Sequence, residues 1–77
     1  MKLKELMEVL DNTHMELHSS YNGKLVASTA KSLEKYANVD VVRVYPKIKL
    51  NSDGSYAHAY FYIFGSNYQI NEVKKNG

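Results

Sequence analysis

The stretch AHAYFYIFG, residues Ala57–Gly65, places four aromatic rings within five consecutive positions. Such a run favours a β-strand, because aromatic side chains pack well on an extended backbone. Side chains in a strand alternate between the two faces of a sheet, so Phe61 and Ile63 share one face. Tyr60 and Tyr62 then share the other. Since a strand in a small protein buries one face at most, the stretch predicts aromatic rings on an outer surface.

The run VDVVRVYPKIKL, which precedes this stretch, also favours a strand, and the polar segment NSDG between them offers a glycine for a turn. The two runs predict a long hairpin with Leu50 opposite Ser55. In that register one face carries only apolar pairs: Ile48 with Ala57, Pro46 with Ala59, Val44 with Phe61, and Val42 with Ile63. The other face pairs Lys49 with Tyr56, Lys47 with His58, Tyr45 with Tyr60, and Arg43 with Tyr62. A register displaced by one residue would bury the cations, each at a cost of several kcal/mol.

The second of these faces is the candidate functional surface, which we call the aromatic basic face. Its residues are Arg43, Tyr45, Lys47, Lys49, Tyr56, His58, Tyr60 and Tyr62. One interpretation is ordinary solvated packing, because tyrosine favours strands and lysine stems lie readily over tyrosine rings. The other is partner binding, because tyrosine and arginine dominate protein interfaces and aromatic rings on an open sheet also stack single-stranded bases. The net charge of +2 and the lack of an RNA-binding signature favour a protein partner.

A shorter hairpin is predicted around the dipeptide Asn22-Gly23, which is a strong signal for a two-residue turn. Such a turn places Leu17 opposite Ser28. Alternation along the two strands puts Met15, Leu17 and Val26 on the buried face and leaves Leu25 outside. The residues expected to point outward are His14, Glu16 and His18.

Two segments predict short helices. In KLKELMEVLD the apolar residues at helical spacing are Leu3, Leu6, Met7 and Leu10. STAKSLEKYAN offers Ser28 or Thr29 as an N-cap and Asn38 as a C-terminal stop. The segment after Gly65, SNYQINEVKKNG, is polar and weakly periodic, and we expect a loosely ordered tail there.

Together these segments predict a single small α+β domain over residues 1–65, followed by the polar tail over residues 66–77. A chain of 77 residues can build one small core. The expected order is α-β-β-α-β-β, with a four-stranded antiparallel sheet and two short helices on one of its faces. Pro46 has no N–H to donate to a neighbouring strand, so we expect its strand at the sheet edge and the aromatic strand in the centre.

Several kinds of site are not predicted. The chain has no cysteine, which excludes disulfides and thiolate zinc sites. On a strand, His14 and His18 stand about 13 Å apart, too far to share a metal ion. No serine lies in a strand-turn-helix elbow beside a histidine, and no glycine-rich phosphate loop is present. We therefore predict no catalytic residues, metal or cofactor.

The chain is also not expected to enter a membrane. No apolar run approaches the length of about 18 residues that spans a bilayer. The N-terminus is charged throughout, unlike the apolar core of a signal peptide. A cytoplasmic location is the expectation.

The segments MKLKELMEVLD, NGKL, SLEKY and VVRVYP resemble small uncharacterised accessory proteins of phages and prophages of Gram-positive bacteria. The resemblance covers about the first 46 residues and implies a phage-encoded protein in a bacterial cytoplasm. Such proteins often bind and block a host or defence protein, including CRISPR effectors. The function expected is thus a non-enzymatic inhibitor of a bacterial host or defence protein that binds through the aromatic basic face. The alternative is a single-stranded nucleic-acid-binding protein that uses the same face.

Self-association remains open, with a constraint from charge. A two-fold axis through the aromatic basic face would bring Arg43, Lys47 and Lys49 close to their own copies, which is unfavourable. We therefore expect that face to meet an acidic partner, and any homodimer to use the sheet edge or the helical side.

Overall fold

The chain forms three helices and four strands within the residues that a computed structural model describes, 1–10 and 14–76. In chain order these are α1 (Leu3–Val9), β1 (His14–Ser19), β2 (Leu25–Ala27), α2 (Ala30–Glu34), β3 (Val41–Leu50), β4 (Tyr56–Gly65) and α3 (Asn67–Asn76). The prediction of a small α+β domain with a four-stranded sheet is confirmed. The prediction of two helices is wrong, because a third follows β4.

The sheet is mixed, with strand order β2-β1-β4-β3. The two hairpins are antiparallel, whereas β1 and β4 pair in parallel at the centre, so the prediction of an all-antiparallel sheet is wrong. The reason is that α2 joins β2 to β3, the two edge strands. The first strand of one hairpin therefore lies beside the last strand of the other. The predicted positions of the Pro46 strand at the edge and the aromatic strand in the centre are confirmed.

The register of the long hairpin differs from the predicted one by two residues along β4. Tyr45 lies opposite Tyr62 and Lys47 lies opposite Tyr60, whereas the prediction paired Tyr45 with Tyr60. Side chains in a strand repeat with a period of two, so this displacement changes the pairs without moving any residue to the other face. The predicted division into two faces is retained between the two register shifts, from Arg43 to Lys49, whereas the shifts at either end displace Val42 and Tyr56.

A bulge near the base of the long hairpin moves Val42 out of the core. Val41 lies opposite Gly65 and Arg43 lies opposite Phe64, which leaves Val42 as the extra residue on β3. Val42 was predicted to pair inside the core, and it is instead 55% exposed. A bulged residue falls outside the ladder, and this explains the error.

The shorter hairpin forms where Asn22-Gly23 predicted it, but its loop is longer than two residues. Gly23 has a φ of 71°, a left-handed conformation that glycine adopts without a steric penalty. The longer loop changes the register, and Leu17 lies opposite Ala27 instead of Ser28. Met15 and Leu17 are buried as predicted, whereas His18, which was expected to be exposed on the outward side, is buried beside the Tyr62 and Phe64 rings.

The core lies on one side of the sheet, where all three helices pack. Its members are Leu3, Leu6, Met15, Leu17, Ala27, Leu33, Tyr36, Val39, Ile63 and Ile70. The N–H of Leu3 donates to the carbonyl of Val39 at 2.9 Å, which ties the start of α1 to the segment before β3. Thr29 caps α2 as predicted, although this helix ends at Glu34, before the expected stop at Asn38.

Residues 67–76 form α3 instead of the expected loosely ordered tail. Ile70 is 1% exposed and packs into the core. The Ser19 hydroxyl donates to Asn67 Oδ1 at 2.8 Å, and the backbone N–H of Asp40 donates to the side chain of Gln69. The helix is polar over most of its length, so tertiary packing stabilises it more than its own periodicity.

The long hairpin extends beyond the helices, and its core-facing side is buried only near the base. A seven-residue helix such as α1 is about 10 Å long, whereas a ten-residue strand such as β3 is about 33 Å long. The uncovered residues, which we call the apolar strip, are Val44, Pro46, Ile48, Leu50, Ala57 and Ala59. The pairing of these residues on the core face was predicted, but the helices are too short to bury them.

Candidate protein-binding face

Three strands supply the side of the sheet that faces away from the helices. The β1 row lies beside β4, with His14 opposite Tyr60, Glu16 opposite Tyr62 and His18 opposite Phe64. The β3 row lies on the other side of β4, with Lys49 opposite His58, Lys47 opposite Tyr60, Tyr45 opposite Tyr62 and Arg43 opposite Phe64. The rings of β4 are therefore flanked by a basic row from β3 and by two histidines and a glutamate from β1.

The rings of this surface pack against one another in a continuous layer. The Tyr60 and Tyr62 rings are 5.5 Å apart, and the His18 ring lies 4.6 Å from that of Tyr62. Tyr45 meets Phe64 edge to face, with ring centroids 5.6 Å apart. A hydrogen bond with Tyr60 is the main cause that raises the pKa of the Tyr62 hydroxyl above its usual value. Tilted and edge-to-face contacts of this kind hold each ring in a defined orientation.

The cations of β3 lie along the outer border of the ring layer. Lys47 Nζ is 5.3 Å from the centre of the Tyr62 ring, within range of a cation–π interaction. Arg43 Nη1 donates to the Tyr45 hydroxyl at 3.1 Å, and this hydrogen bond raises the pKa of the guanidinium group. A depression of about 360 Å³ beside them is lined by Ser20, Val42, Arg43, Tyr45 and Phe64. A partner side chain can enter it next to a fixed positive charge.

Glu16 is the acidic residue of the β1 row, and histidines flank it. Glu16 Oε1 lies 3.1 Å from His18 Nε2, and Oε2 lies 3.7 Å from His14 Nε2. The other ring nitrogen of His18, Nδ1, lies 2.9 Å from the carbonyl oxygen of Gly23. The His18 ring therefore has an oxygen atom beside each of its nitrogens. The carboxylate is thus occupied within the face, and the charges of β3 remain available.

A second depression lies toward the hairpin tip. Its volume is about 220 Å³, and its lining residues are His14, Glu16, Lys49, His58 and Tyr60. The His14 ring is 6.3 Å from that of His58 and 5.9 Å from that of Tyr60. This end of the face combines two imidazoles, a phenol and an ammonium group around one open hollow.

The predicted members of the aromatic basic face come together on one surface, except for Tyr56. Tyr56 lies opposite Leu50 at the hairpin tip, beyond a register shift between Lys49 and Leu50. The sequence prediction did not place His14, Glu16 and His18 beside the tyrosines. Alternation in β1 showed that these side chains point outward, but no local signal indicated that β1 would lie next to β4.

Residues 1–10 and 14–76 lack two other kinds of feature. In that part of the chain, no group of three or more histidine, aspartate or glutamate residues is arranged to hold a metal ion. None of the helices described above is long and apolar enough to cross a membrane.

No protein-family model, curated protein or solved structure matches this chain.

Proposed function

We propose that this chain is a non-enzymatic binding protein whose aromatic basic face docks on an acidic surface of a partner protein. The observation that carries the proposal is the ring layer of Tyr45, Tyr60 and Tyr62 with cations at its border. Tyrosine and arginine are enriched among the residues that dominate binding energy at protein interfaces. Rings held by their neighbours lose little conformational freedom on binding, which favours affinity.

The charges of the face favour an acidic partner. The cations are Arg43, Lys47 and Lys49, all exposed. The β1 row adds one carboxylate, Glu16, against these three cations, so the charge of these four groups is net positive. Complementary charge at an interface speeds association and suppresses partners of the wrong sign.

We extend this proposal to a phage accessory protein that inhibits a bacterial host or defence protein, in the manner of anti-CRISPR proteins. The support is the resemblance of about the first 46 residues to phage and prophage accessory proteins. An inhibitor of this kind acts by covering a functional surface of its target. A rigid binding face on a small domain is sufficient for that action.

Replacing Tyr45, Tyr60 and Tyr62 together with alanine is expected to remove the partners that the wild-type protein retrieves from a lysate of a Gram-positive bacterium. Truncating a single interface hot-spot residue costs about 2 kcal/mol or more, so the triple change is expected to weaken binding by at least about 100-fold. Quantitative mass spectrometry of the retrieved proteins measures the loss. The matched control replaces Tyr21 and Tyr68, which are 82% and 74% exposed elsewhere on the protein.

Charge reversal gives an independent test of the acidic partner. The double variant Lys47→Glu with Lys49→Glu is expected to weaken the same interaction. The control is the double variant Lys31→Glu with Lys35→Glu, which changes the net charge by the same amount. Both control positions are exposed on the helical side. All variants are checked for folding by circular dichroism. Equal retrieval by the face variants and their controls would show that the aromatic basic face is not the binding surface.

A single-stranded nucleic-acid binder is the second candidate, because Lys47 beside the Tyr62 ring combines a cation with a stacking surface. The Glu16 carboxylate within the face and the contacts between neighbouring rings disfavour it. We therefore expect no binding of a fluorescent oligonucleotide at low salt. Binding that weakens with salt, with a logarithmic slope of about −0.7 per phosphate neutralised, would establish the second candidate instead.

A further inference from the structure

The apolar strip lies on the opposite side of the long hairpin from the aromatic basic face. Its residues are apolar, with the Tyr56 ring opposite Leu50 at the hairpin tip, and its large members are well exposed: Ile48 at 64%, Leu50 at 58% and Val44 at 37%. The smaller members of the strip are also exposed: Pro46, Ala57 and Ala59. The strip continues the core side of the sheet, because Val44 lies opposite Ile63, which is fully buried. It is a core-like surface without the layer that would cover it.

The outer edge of β3 is a less suitable contact than the strip. Pro46 has no N–H and interrupts the row of donors that another strand would need. If two copies paired edge to edge in one continuous sheet, their aromatic basic faces would lie on the same side. Lys47 and Lys49 would then approach their counterparts, and like charges at close range are unfavourable.

We propose that the apolar strip is a homodimer interface, in which the hairpins of two copies of this chain pack face to face. In this arrangement the cations of the two copies point away from each other, on the outer sides of the pair. Ala59 is small and lies opposite the large Ile48, which leaves space for a large side chain of the second copy. Packed sheets lie about 10 Å apart and interdigitate their inner side chains, which such alternation of sizes permits.

The small size of the strip predicts a reversible dimer. It has six residues per copy, far fewer than the roughly 20–30 residues a side of a standard-size stable interface. We therefore expect a dissociation constant in the micromolar range, about 10–100 μM. Dimerisation would present two aromatic basic faces on opposite sides of one particle.

Sedimentation equilibrium on the full chain tests the proposal. The protein concentration is varied from about 5 μM to about 1 mM, a range that includes the expected dissociation constant. The wild-type mass is expected to rise with concentration from 8.8 kDa toward twice that value. Ile48→Glu places a carboxylate in the centre of the strip and is expected to raise the dissociation constant at least tenfold, to about 0.1–1 mM or more. Lys49→Glu introduces the same residue at the adjacent position of β3, on the other face, and is expected to leave a dimer.

Both substitutions are at exposed positions, so folding is expected to survive, and circular dichroism verifies it. A wild-type protein that stays monomeric to about 1 mM would overturn the proposal and leave the strip to a different partner. The proposal would also fail if Ile48→Glu sedimented like the wild type, or if Lys49→Glu dissociated the dimer as strongly as Ile48→Glu. The tyrosine variants of the binding experiment provide a separate check, because they lie on the other face and are expected to dimerise normally.

Discussion

Replacing Ile63 with alanine is expected to lower the free energy of unfolding by about 3–4 kcal/mol. Ile63 is fully buried in the central strand β4, with β1 and β3 on either side and the helices above it. The surrounding strands are held by their ladders and cannot close the cavity that the truncation leaves. A domain of this size has a total stability of about 4–11 kcal/mol, so the loss is a large share of it. Urea denaturation followed by circular dichroism measures the change.

Ile48→Ala is the matched control, because it removes the same atoms from the same side of the same hairpin. Ile48 is 64% exposed, and its truncation is expected to cost less than about 1 kcal/mol at a protein concentration of a few micromolar, where the monomer predominates. The comparison separates the buried base of the hairpin from the uncovered apolar strip. Equal losses for the two variants would contradict the burial pattern on which the homodimer proposal depends.

Replacing Ile70 with alanine is expected to cost about 3 kcal/mol, measured by the same denaturation experiment. Ile70 is the fully buried residue of α3, and it packs into the core with Leu17 and Ile63. Its loss removes the principal apolar contact of a helix that is otherwise mostly polar, so we also expect the helical circular-dichroism signal to decrease. This change tests whether the C-terminal segment is part of the folded domain.

Tyr68→Ala on the same helix is the control for this second experiment. The Tyr68 side chain is larger than that of Ile70 but 74% exposed, so its removal is expected to change stability by less than about 0.5 kcal/mol. A C-terminal segment that does not pack on the sheet would make both substitutions neutral. That outcome would restore the sequence-based expectation of a loosely ordered tail.

The sequence predicted the composition of the candidate site better than its arrangement. Alternation along β3 and β4 placed the lysines and tyrosines on one face, since burying the cations of the other register would be too costly. It did not pair Tyr45 with Tyr62, because a displacement of two residues satisfies the same alternation. The loop after Leu50, which places Leu50 opposite Tyr56, displaces the pairing by one residue, and the register shift between Leu50 and Lys49 adds the second. The ring contacts of the site therefore required the tertiary structure.

The sequence by itself determined the local elements that have strong signals. The apolar spacing in the first ten residues predicted α1, Thr29 predicted the start of α2, and Asn22-Gly23 and the NSDG segment predicted the two hairpins. The missing N–H of Pro46 predicted an edge strand, which left the aromatic strand in the centre. Each of these features depends on residues a few positions apart, so the chain specifies them without reference to the rest of the molecule.

Only the tertiary structure decided which hairpin edges meet, whether the C-terminal segment is ordered, and how far the core extends. The parallel contact of β1 with β4 joins residues more than forty positions apart, and it follows from α2 linking the two edge strands. The main apolar contacts of α3 are the buried Ile70 and the partly buried Val73, and both have partners only once the sheet is formed. The apolar strip looks like core in sequence, and it is exposed because the helices are shorter than the strands beneath them. Long-range packing and the relative lengths of the elements set all three outcomes, and neither is encoded in a local pattern.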